Sequence, residues 1–309
     1  MIVALAGGTG SVKLIRGLTR ATREDFTIIS NVGDNFWLHG LYIAPDIDTV
    51  TYALASQLDR KRGWGIKKDT FNLLHQLGKL EAETWFKMGD RDSATHLVRT
   101  ELIRNGKTLA DTTSELCRRL GVSQRILPAS NDPLETWITT PAGTMHLQDY
   151  WVRRGGRDDV LAVTYRGAES AKPSTGVTDA ILGASAVILP PANPVTSIGP
   201  ILAIRGIREA LRTTRSTRLA VSPIVGTAPV SGPAAKLLAG LGVPVTPLGV
   251  ARMYAGLIDV FVADWSGATD EDAFRGLGMV PVFTDVMMPN AAREKALAKR
   301  ILRYLRHTT

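Results

Sequence analysis

The pattern of apolar residues along the chain predicts strands that alternate with helices. Short apolar runs typical of buried strands occupy residues 2–6, 26–30, 186–189, 218–222, 260–263 and 280–283. Stretches with helical spacing of apolar residues lie between these runs, and such alternation favours a parallel sheet with helices on both faces. We therefore predict an α/β protein with a Rossmann-like, doubly wound and mostly parallel sheet.

Two segments depart from this alternation, which predicts one α/β domain over 1–309 with two insertions. Within about 51–120, helical patterns follow one another without an intervening strand, at residues 49–58, 70–77, 93–105 and 108–120. Within about 126–163, the run 137–140, a Pro141-Ala142-Gly143 turn and the run 145–152 predict a β-hairpin and a further strand. The first insertion is expected to be helical and the second rich in β-structure.

A glycine-rich loop, Gly7-Gly8-Thr9-Gly10, joins the first predicted strand to a helix. Glycine permits positive φ and close approach of a ligand, and a helix start presents unpaired N–H groups and the positive end of the dipole. We predict that this loop binds phosphate and that Lys13 adds positive charge. The alternatives are a glycine turn used only for tight packing and a lysine that is simply solvated.

The glycine loop does not complete either common nucleotide-binding signature. The dinucleotide fingerprint requires a third glycine where this chain has Lys13, and an acidic residue near the end of the second strand, where it has Ser30 and Asn31. The Gly-Lys-Ser/Thr ending of a P-loop is also absent. A nicotinamide-dependent dehydrogenase is therefore disfavoured.

A second loop of the same kind follows the strand predicted at 186–189. It runs from Asn193 to Pro200, and its proline suits the first turn of a helix. We predict that Asn193, Ser197 and Gly199 bind the nucleotide or its phosphates, although Ser197 could instead cap the helix. The segment Ser231-Gly232-Pro233 repeats this strand, loop and helix arrangement.

Acidic residues follow the second predicted strand and precede the next helix. Asp34 lies just after the strand, and Asp46 and Asp48 follow Pro45. Mg²⁺ prefers one or two carboxylates together with phosphate oxygens and water. We predict that Asp34 and Asp48 bind Mg²⁺ and act in catalysis, whereas the structural alternatives are a turn residue for Asp34 and a helix N-cap for Asp48.

Composition narrows the class of protein. The chain has 309 residues, of which 44% are hydrophobic and 21% charged, as in an ordinary globular protein. One cysteine, Cys117, cannot form an internal disulfide, and no leader or long apolar run is present, so we expect a cytoplasmic protein without a membrane segment. The net charge of +8 is concentrated in 205–218 and 293–306, which also carry helical apolar stripes. With 6% aromatic residues and no reader motif, nucleic-acid binding is not expected.

These motifs, taken together and in order, resemble the 2-phospho-L-lactate transferase family nearly from end to end. The segments that carry the resemblance are Gly7-Gly8-Thr9-Gly10, Asn31-Val32-Gly33-Asp34, Pro45-Asp46-Ile47-Asp48-Thr49, Gly63-Trp64-Gly65, Gly89-Asp90-Arg91-Asp92, Thr95-His96, Leu127-Pro128-Ala129-Ser130 and the loop from Asn193 to Pro200. The resemblance implies transfer of a 2-phospholactyl, phosphoenolpyruvyl or 3-phosphoglyceryl group from a guanosine diphospho donor. The acceptor would be the ribityl 5′-hydroxyl of the deazaflavin FO, and GMP would be released with Mg²⁺ present, in coenzyme F420 biosynthesis. It also implies a homodimer.

The resemblance further implies an FO-binding site. Asp48 and Arg91 correspond to residues associated with FO. Asp90, Asp92 and His96 are candidates for the same pocket, although His96 has a packed or capping histidine as its alternative. Trp64, between two glycines, is a candidate stacking platform for the flat deazaflavin. The other tryptophans considered, Trp37, Trp85, Trp137 and Trp151, are expected to lie mostly in the core.

A regulatory protein of the same superfamily is the main alternative. Such a protein would bind a nucleotide-linked sugar without transferring phosphate, and it would need the nucleotide loops but not the FO pocket. Because the chain has both Asp48 and Arg91, we favour the transferase.

Overall fold

The computed structural model describes residues 1–230 and 232–307. The strands, in chain order, are β1 (Ile2–Ala6), β2 (Phe26–Ser30), β3 (Phe36–Leu38), β4 (Leu41–Ile43), β5 (Arg125–Pro128), β6 (Glu135–Thr140), β7 (Gly143–His146), β8 (Ala162–Arg166), β9 (Ala186–Leu189), β10 (Thr217–Val221), β11 (Ile224–Val225), β12 (Ala228–Pro229), β13 (Val260–Ala263) and β14 (Val280–Phe283). The helices are α1 (Gly8–Ala21), α2 (Pro45–Leu54), α3 (Asn72–Lys79), α4 (Asp90–Arg104), α5 (Leu109–Arg119), α6 (Val177–Leu182), α7 (Gly199–Ala203), α8 (Arg205–Thr213), α9 (Ala234–Gly240), α10 (Pro247–Met253), α11 (Glu271–Gly276) and α12 (Ala291–His307).

Seven parallel strands form the central sheet, in the order β14-β13-β10-β9-β1-β2-β5. Alternate residues of β1 enter the hydrophobic cores on opposite faces, with Val3 and Leu5 in one and Ile2 and Ala4 in the other. The predicted Rossmann-like α/β fold is thus confirmed. The order of strands reverses between β1 and β9, and ligands of such sheets bind beyond the carboxyl ends of the strands at this point.

The β-rich region differs from its prediction in two ways. The range 126–163 was expected to lie outside the main sheet, but β5 pairs in parallel with β2 as an edge strand of that sheet. The run 145–152 was expected to be a strand, but β7 ends at His146 and a π-helical turn occupies Asp149–Arg153. The third strand of the small antiparallel sheet is β8, which pairs with β6. β5 begins at the exposed Arg125 and ends at Pro128, so its apolar run is too short to indicate a strand of the main sheet.

The helix after β4 begins earlier than predicted. Its first residue is Pro45, whose fixed φ suits this position, so Asp48 lies inside the first turn and is not the N-cap. Both Asp46 and Asp48 thereby lie near the positive end of the helix dipole. In the parts of the chain that the structure describes, no helix has the length and apolar character needed to cross a membrane.

Candidate active site

A cavity of about 590 Å³ lies where the loops after β1, β2 and β9 meet. This volume is typical of small-molecule sites. The residues predicted as ligand-binding that line it are Gly7, Gly8, Thr9, Gly10, Asp34, Asp48, Trp64, His96, Asn193 and Ser197. Lys13, Asp90, Arg91 and Gly199 are not among the lining residues. The fold therefore brings most of the sequence-predicted residues to one place.

The glycine loop packs tightly against its neighbours. A Cβ atom at Gly10 would overlap the carbonyl oxygen of Pro191, and one at Gly7 would lie 2.6 Å from Cβ of Ser197. Gly8 has a φ of +67° and its N–H donates to Oδ1 of Asp46 at 2.8 Å. Close packing thus accounts for two of the glycines, while the third directs an N–H group of the helix start towards a carboxylate. Phosphate binding by this loop stays a prediction.

Asp34 and Asp46 form a pair of carboxylates held by one amide. Nδ2 of Asn31 donates to Oδ1 of Asp34 at 2.9 Å and to Oδ2 of Asp46 at 2.8 Å. Burial raises the pKa of Asp46 to about 6. Burial, together with the negative charge of Asp46, also raises the pKa of Asp34 well above its ordinary value. Two carboxylates that resist simultaneous ionisation in this way favour a bound cation.

Asp48 is engaged differently from Asp34. Both of its oxygens accept hydrogen bonds from the guanidinium of Arg99, with an Nη1–Oδ2 distance of 3.0 Å. Burial works to lower the pKa of Arg99, but the adjacent charge of Asp48 outweighs it and the net pKa is raised. A carboxylate whose two oxygens already accept hydrogen bonds from an arginine is a poor metal ligand. The geometry therefore favours Asp34 and Asp46 as the residues of a cation site.

His96 continues the network on the same wall of the cavity. Its Nδ1 lies 3.1 Å from Nη1 of Arg99, and because a guanidinium can only donate, Nδ1 must accept. With Nδ1 as the acceptor, the ring proton is placed on Nε2, which lies 3.6 Å from Oδ1 of Asp92. The packed-histidine alternative describes this environment, since the ring is only 2% exposed, yet the residue also lines the cavity.

Asp92 completes the network. Its Oδ1 accepts a hydrogen bond from the Tyr52 hydroxyl at 2.7 Å. Burial works to raise the pKa of Asp92, but its interactions with His96 and Tyr52 prevail and the net pKa is lowered. Ligand atoms of Asp48, Asp92 and His96 lie within 4.8 Å of one another. Arg99 already supplies a positive charge beside Asp48, which disfavours a metal ion between these three residues.

The loop after β9 is held by its own amide and by a tyrosine of the small sheet. Oδ1 of Asn193 accepts a hydrogen bond from the Val195 N–H at 2.9 Å, whereas its buried Nδ2 has no partner among the described residues. The Tyr165 hydroxyl donates to the Val195 carbonyl oxygen at 2.5 Å. A Cβ atom at Gly199 would overlap the Tyr165 hydroxyl, so this glycine serves packing. Ser197 lines the cavity, and helix α7 has no side-chain cap.

Two residues predicted to contact FO lie elsewhere. Asp90 accepts hydrogen bonds from the Thr70 hydroxyl at 2.6 Å and the Leu73 N–H at 2.9 Å, which anchors the start of α3. These bonds lower the pKa of Asp90 to about 2. Arg91 is exposed and its Nη1 donates to the carbonyl oxygen of Lys67 at 3.3 Å. The carboxylate of Asp90 is thus occupied by hydrogen bonds at the start of α3, and its contact with FO stays a prediction.

Lys13 and the segment Ser231-Gly232-Pro233 were also predicted to lie near the ligand. Lys13 is partly buried in α1 and does not reach the cavity lining. Ser231 lies outside the described residues, whereas Gly232 and Pro233 line the cavity.

The tryptophans lie mainly around the cavity and at the surface, so the expectation that most are core residues is wrong. Trp37 is 53% exposed and Trp151 is 41% exposed. Trp64, Trp85 and Trp151 all line the cavity. The guanidinium of Arg62 lies 4.9 Å from the ring centroid of Trp64. An apolar ring with one face available to solvent is suited to stacking on a planar ligand.

Several lining or supporting residues were not identified as site residues from the sequence. Arg99 was missed, although it recurs at helical spacing with the candidates Asp92 and His96 on one face of α4, and this spacing was available as a signal. Asp46 was noted in the same acidic segment as Asp48 but was not predicted to bind the metal. Lys87 carries no sequence signal, since only the fold brings it to the cavity.

A parallel sheet with loops that converge on an acidic cavity at its switch point defines a Rossmann-like α/β protein with a small-molecule site. The family model described as 2-phospho-L-lactate transferase CofD matches residues 2–298. The chain is a transferase that belongs to this family, whose members act on small-molecule substrates.

Individual relatives cover almost the whole chain. It is 41% identical to the 2-phospho-L-lactate transferase of Methanosarcina mazei over 302 residues, which are 97% of this chain and 99% of that protein. It is 40% identical to the phosphoenolpyruvate transferase of Streptomyces griseus over 310 residues, with 97% of each chain covered. A crystal structure of a UPF0052-family protein from Bacillus halodurans has the same fold, with a TM-score of 0.65 at 19% identity over 97% of this chain and 98% of that one.

Proposed function

We propose that this transferase moves a 2-phospholactyl, phosphoenolpyruvyl or 3-phosphoglyceryl group from a guanosine diphospho donor to the ribityl 5′-hydroxyl of FO. The hydroxyl oxygen attacks the phosphorus atom that bears the acid. The bond from that phosphorus to the bridging oxygen breaks, GMP leaves with the bridging oxygen, and a phosphodiester joins FO to the acid. Positioning and charge stabilisation are the main demands of such a transfer.

The observation that carries the proposal is the charge of the cavity. Four aspartates line it, namely Asp34, Asp46, Asp48 and Asp92. Among the described residues, the only lysine or arginine in the lining is Lys87. A diphosphate placed against such a wall would be repelled unless a cation accompanied it. The site therefore suits a metal–diphosphate complex better than a free anion.

The residues of the cavity fit Mg²⁺. Asp34 and Asp46 offer two convergent carboxylates, and their raised pKa values indicate that the pair lacks a compensating positive charge. When bound there, Mg²⁺ would neutralise the diphosphate and polarise the reacting phosphoryl group. On the opposite loop, Nδ2 of Asn193, which has no partner in the described part of the chain, and the hydroxyl of Ser197 are donors for phosphate oxygens.

The acceptor has a suitable environment on the neighbouring wall. The ring of Trp64 offers a stacking surface for the deazaflavin, and Asp48, held rigidly by Arg99, can accept a hydrogen bond from the ribityl hydroxyl. In this proposal Asp48 also takes the hydroxyl proton as the new bond forms. Arg91 keeps an FO-binding role only through the family resemblance, because its side chain is not part of the lining.

The decisive test is transfer itself. The purified chain is incubated with FO, Mg²⁺ and each of the three guanosine diphospho donors, and GMP and a mass-shifted deazaflavin are measured. The expected result is product from at least one donor, abolished by EDTA and restored by Mg²⁺. Donor binding without product from any of the three would instead favour the regulatory alternative.

Acceptor binding is tested separately by titration of FO fluorescence. Trp64→Leu should weaken FO binding, since it removes the stacking surface, whereas Trp265→Leu, a matched change at an exposed tryptophan away from the cavity, should not. Equal FO affinities in the two variants would exclude the stacking role. Unchanged FO affinity in Arg91→Ala would remove the role that the resemblance gives Arg91.

A further inference from the structure

Lys87 is a cation in an otherwise acidic cavity. Its side chain is exposed, and no carboxylate of the described residues lies within ion-pair distance of its ammonium group. A lysine beside four aspartates that pairs with none of them is available for an anionic group of a ligand.

The chain on both sides of Lys87 is firmly anchored. Phe86 packs edge-on against Phe36 with ring centroids 5.0 Å apart, and the guanidinium of Arg153 lies 4.6 Å from the ring centroid of Trp85. Met88, on the other side, is 2% exposed. The backbone from which the ammonium group extends is thus fixed, and only the side chain is free to adjust.

The surroundings of Lys87 differ from those of the phosphate-directed loops. Trp85, Phe86, Leu147 and Val152 line the cavity with it and present apolar surface. Backbone N–H groups, Ser197 and the paired aspartates belong to the other loops. An anion next to apolar walls suits a small organic acid, with its carboxylate on the lysine and its carbon atoms against the rings.

We infer that Lys87 binds the carboxylate of the acid carried by the donor, and so selects phospho-acid donors. This inference rests on the proposed function. The three donors share a carboxylate and differ in their carbon skeletons, so Lys87 would define the class of donor and the apolar residues beside it would discriminate among the members.

The test compares binding of GDP, which lacks the acid, with binding of the donor that is turned over, by calorimetry with Mg²⁺ present. Lys87→Met should weaken donor binding on the order of tenfold and leave GDP and FO binding unchanged. Lys87→Arg should retain most of the affinity for donor. The matched control is Lys79→Met, at an exposed lysine of α3 outside the cavity lining. It should change the affinity for neither donor nor GDP.

A donor analogue whose carboxylate is replaced by a carboxamide completes the comparison. The natural chain should bind it about as weakly as Lys87→Met binds the donor, and the variant should show no further loss. If Lys87→Met weakens binding of GDP and of donor equally, Lys87 contacts the diphosphate. If it weakens binding of FO alone, Lys87 contacts the acceptor. If no affinity changes, Lys87 contacts none of these ligands. Each of these results overturns the inference while transfer by the natural chain still stands. If the natural chain neither binds nor uses any donor, the proposed function fails and the inference fails with it.

Discussion

The guanidinium of Arg99 bonds both carboxylate oxygens of Asp48, and both side chains are buried. Asp48 belongs to α2 and Arg99 to α4, so the pair joins the two helices that form one wall of the cavity. His96 adds a further contact to the same guanidinium. The orientation of Asp48 is therefore determined by a residue from a distant part of the chain.

Removal of one member of this ion pair should destabilise the folded protein. Arg99→Met leaves Asp48 as a buried, uncompensated charge, and we expect the free energy of unfolding to fall by about 3–5 kcal/mol. The double variant Asp48→Asn with Arg99→Met should recover part of the loss, because the stranded charge is gone. Urea unfolding of the single and the double variant measures the two free energies. Arg104→Met, on the exposed side of the same helix, is the control, and a loss as large as that of Arg99→Met would contradict the argument.

Metal binding at the paired aspartates should be visible as stabilisation. Mg²⁺ that binds only the folded chain raises the melting temperature, by mass action. We expect this rise in the natural chain and its loss in Asp34→Asn and Asp46→Asn, with transfer reduced by orders of magnitude in both. Asp25→Asn, at an exposed aspartate away from the cavity, should respond to Mg²⁺ like the natural chain. An undiminished rise in both cavity variants would place the metal elsewhere.

Loss of the Tyr165 hydroxyl should raise the KM for the donor and have little effect on the KM for FO. It holds the Val195 carbonyl in the loop that carries Asn193 and Ser197. Tyr165→Phe removes one hydrogen bond, worth about 1 kcal/mol, and frees this loop, so KM for the donor should rise several-fold with a smaller change in kcat. Tyr150→Phe, which removes a hydroxyl bonded to the Asp158 carbonyl, is the matched control. Equal donor KM values in the two variants would limit Tyr165 to a packing role.

Asp90 should contribute to stability in a pH-dependent way. Its folded pKa of about 2 lies below the value of about 3.9 for an unfolded aspartate. Because the folded pKa is lowered, the stabilisation is complete above pH of about 4 and is lost as the pH falls towards 2. The difference in melting temperature between the natural chain and Asp90→Ala should thus shrink over this range. Glu169→Ala, at an exposed glutamate, should show no such trend; a constant difference for Asp90→Ala would exclude the assigned role.

The apolar pattern was sufficient to predict the central sheet except for its edge strand β5. The buried runs that became β1, β2, β9 and β13 were recognisable because strands covered on both faces are largely apolar. β5 is a short edge strand whose first residue is an exposed arginine, and its place in the sheet depends on pairing with β2. The run 145–152 had the composition of a strand, yet β7 ends at His146 and a π-helical turn follows at Asp149–Arg153.

The sequence by itself determined the α/β class, the three loops that meet at the cavity and the family, because local spacing and ordered motifs carry that information. Only the tertiary structure decided what each polar side chain contacts. Asp46 rather than Asp48 stands beside Asp34, Asp90 supports a helix, and Lys87 reaches the cavity. The physical reason is that hydrogen bonds and ion pairs between residues far apart in the chain depend on distances of a few ångströms, which the packing of helices and strands sets and no local pattern records.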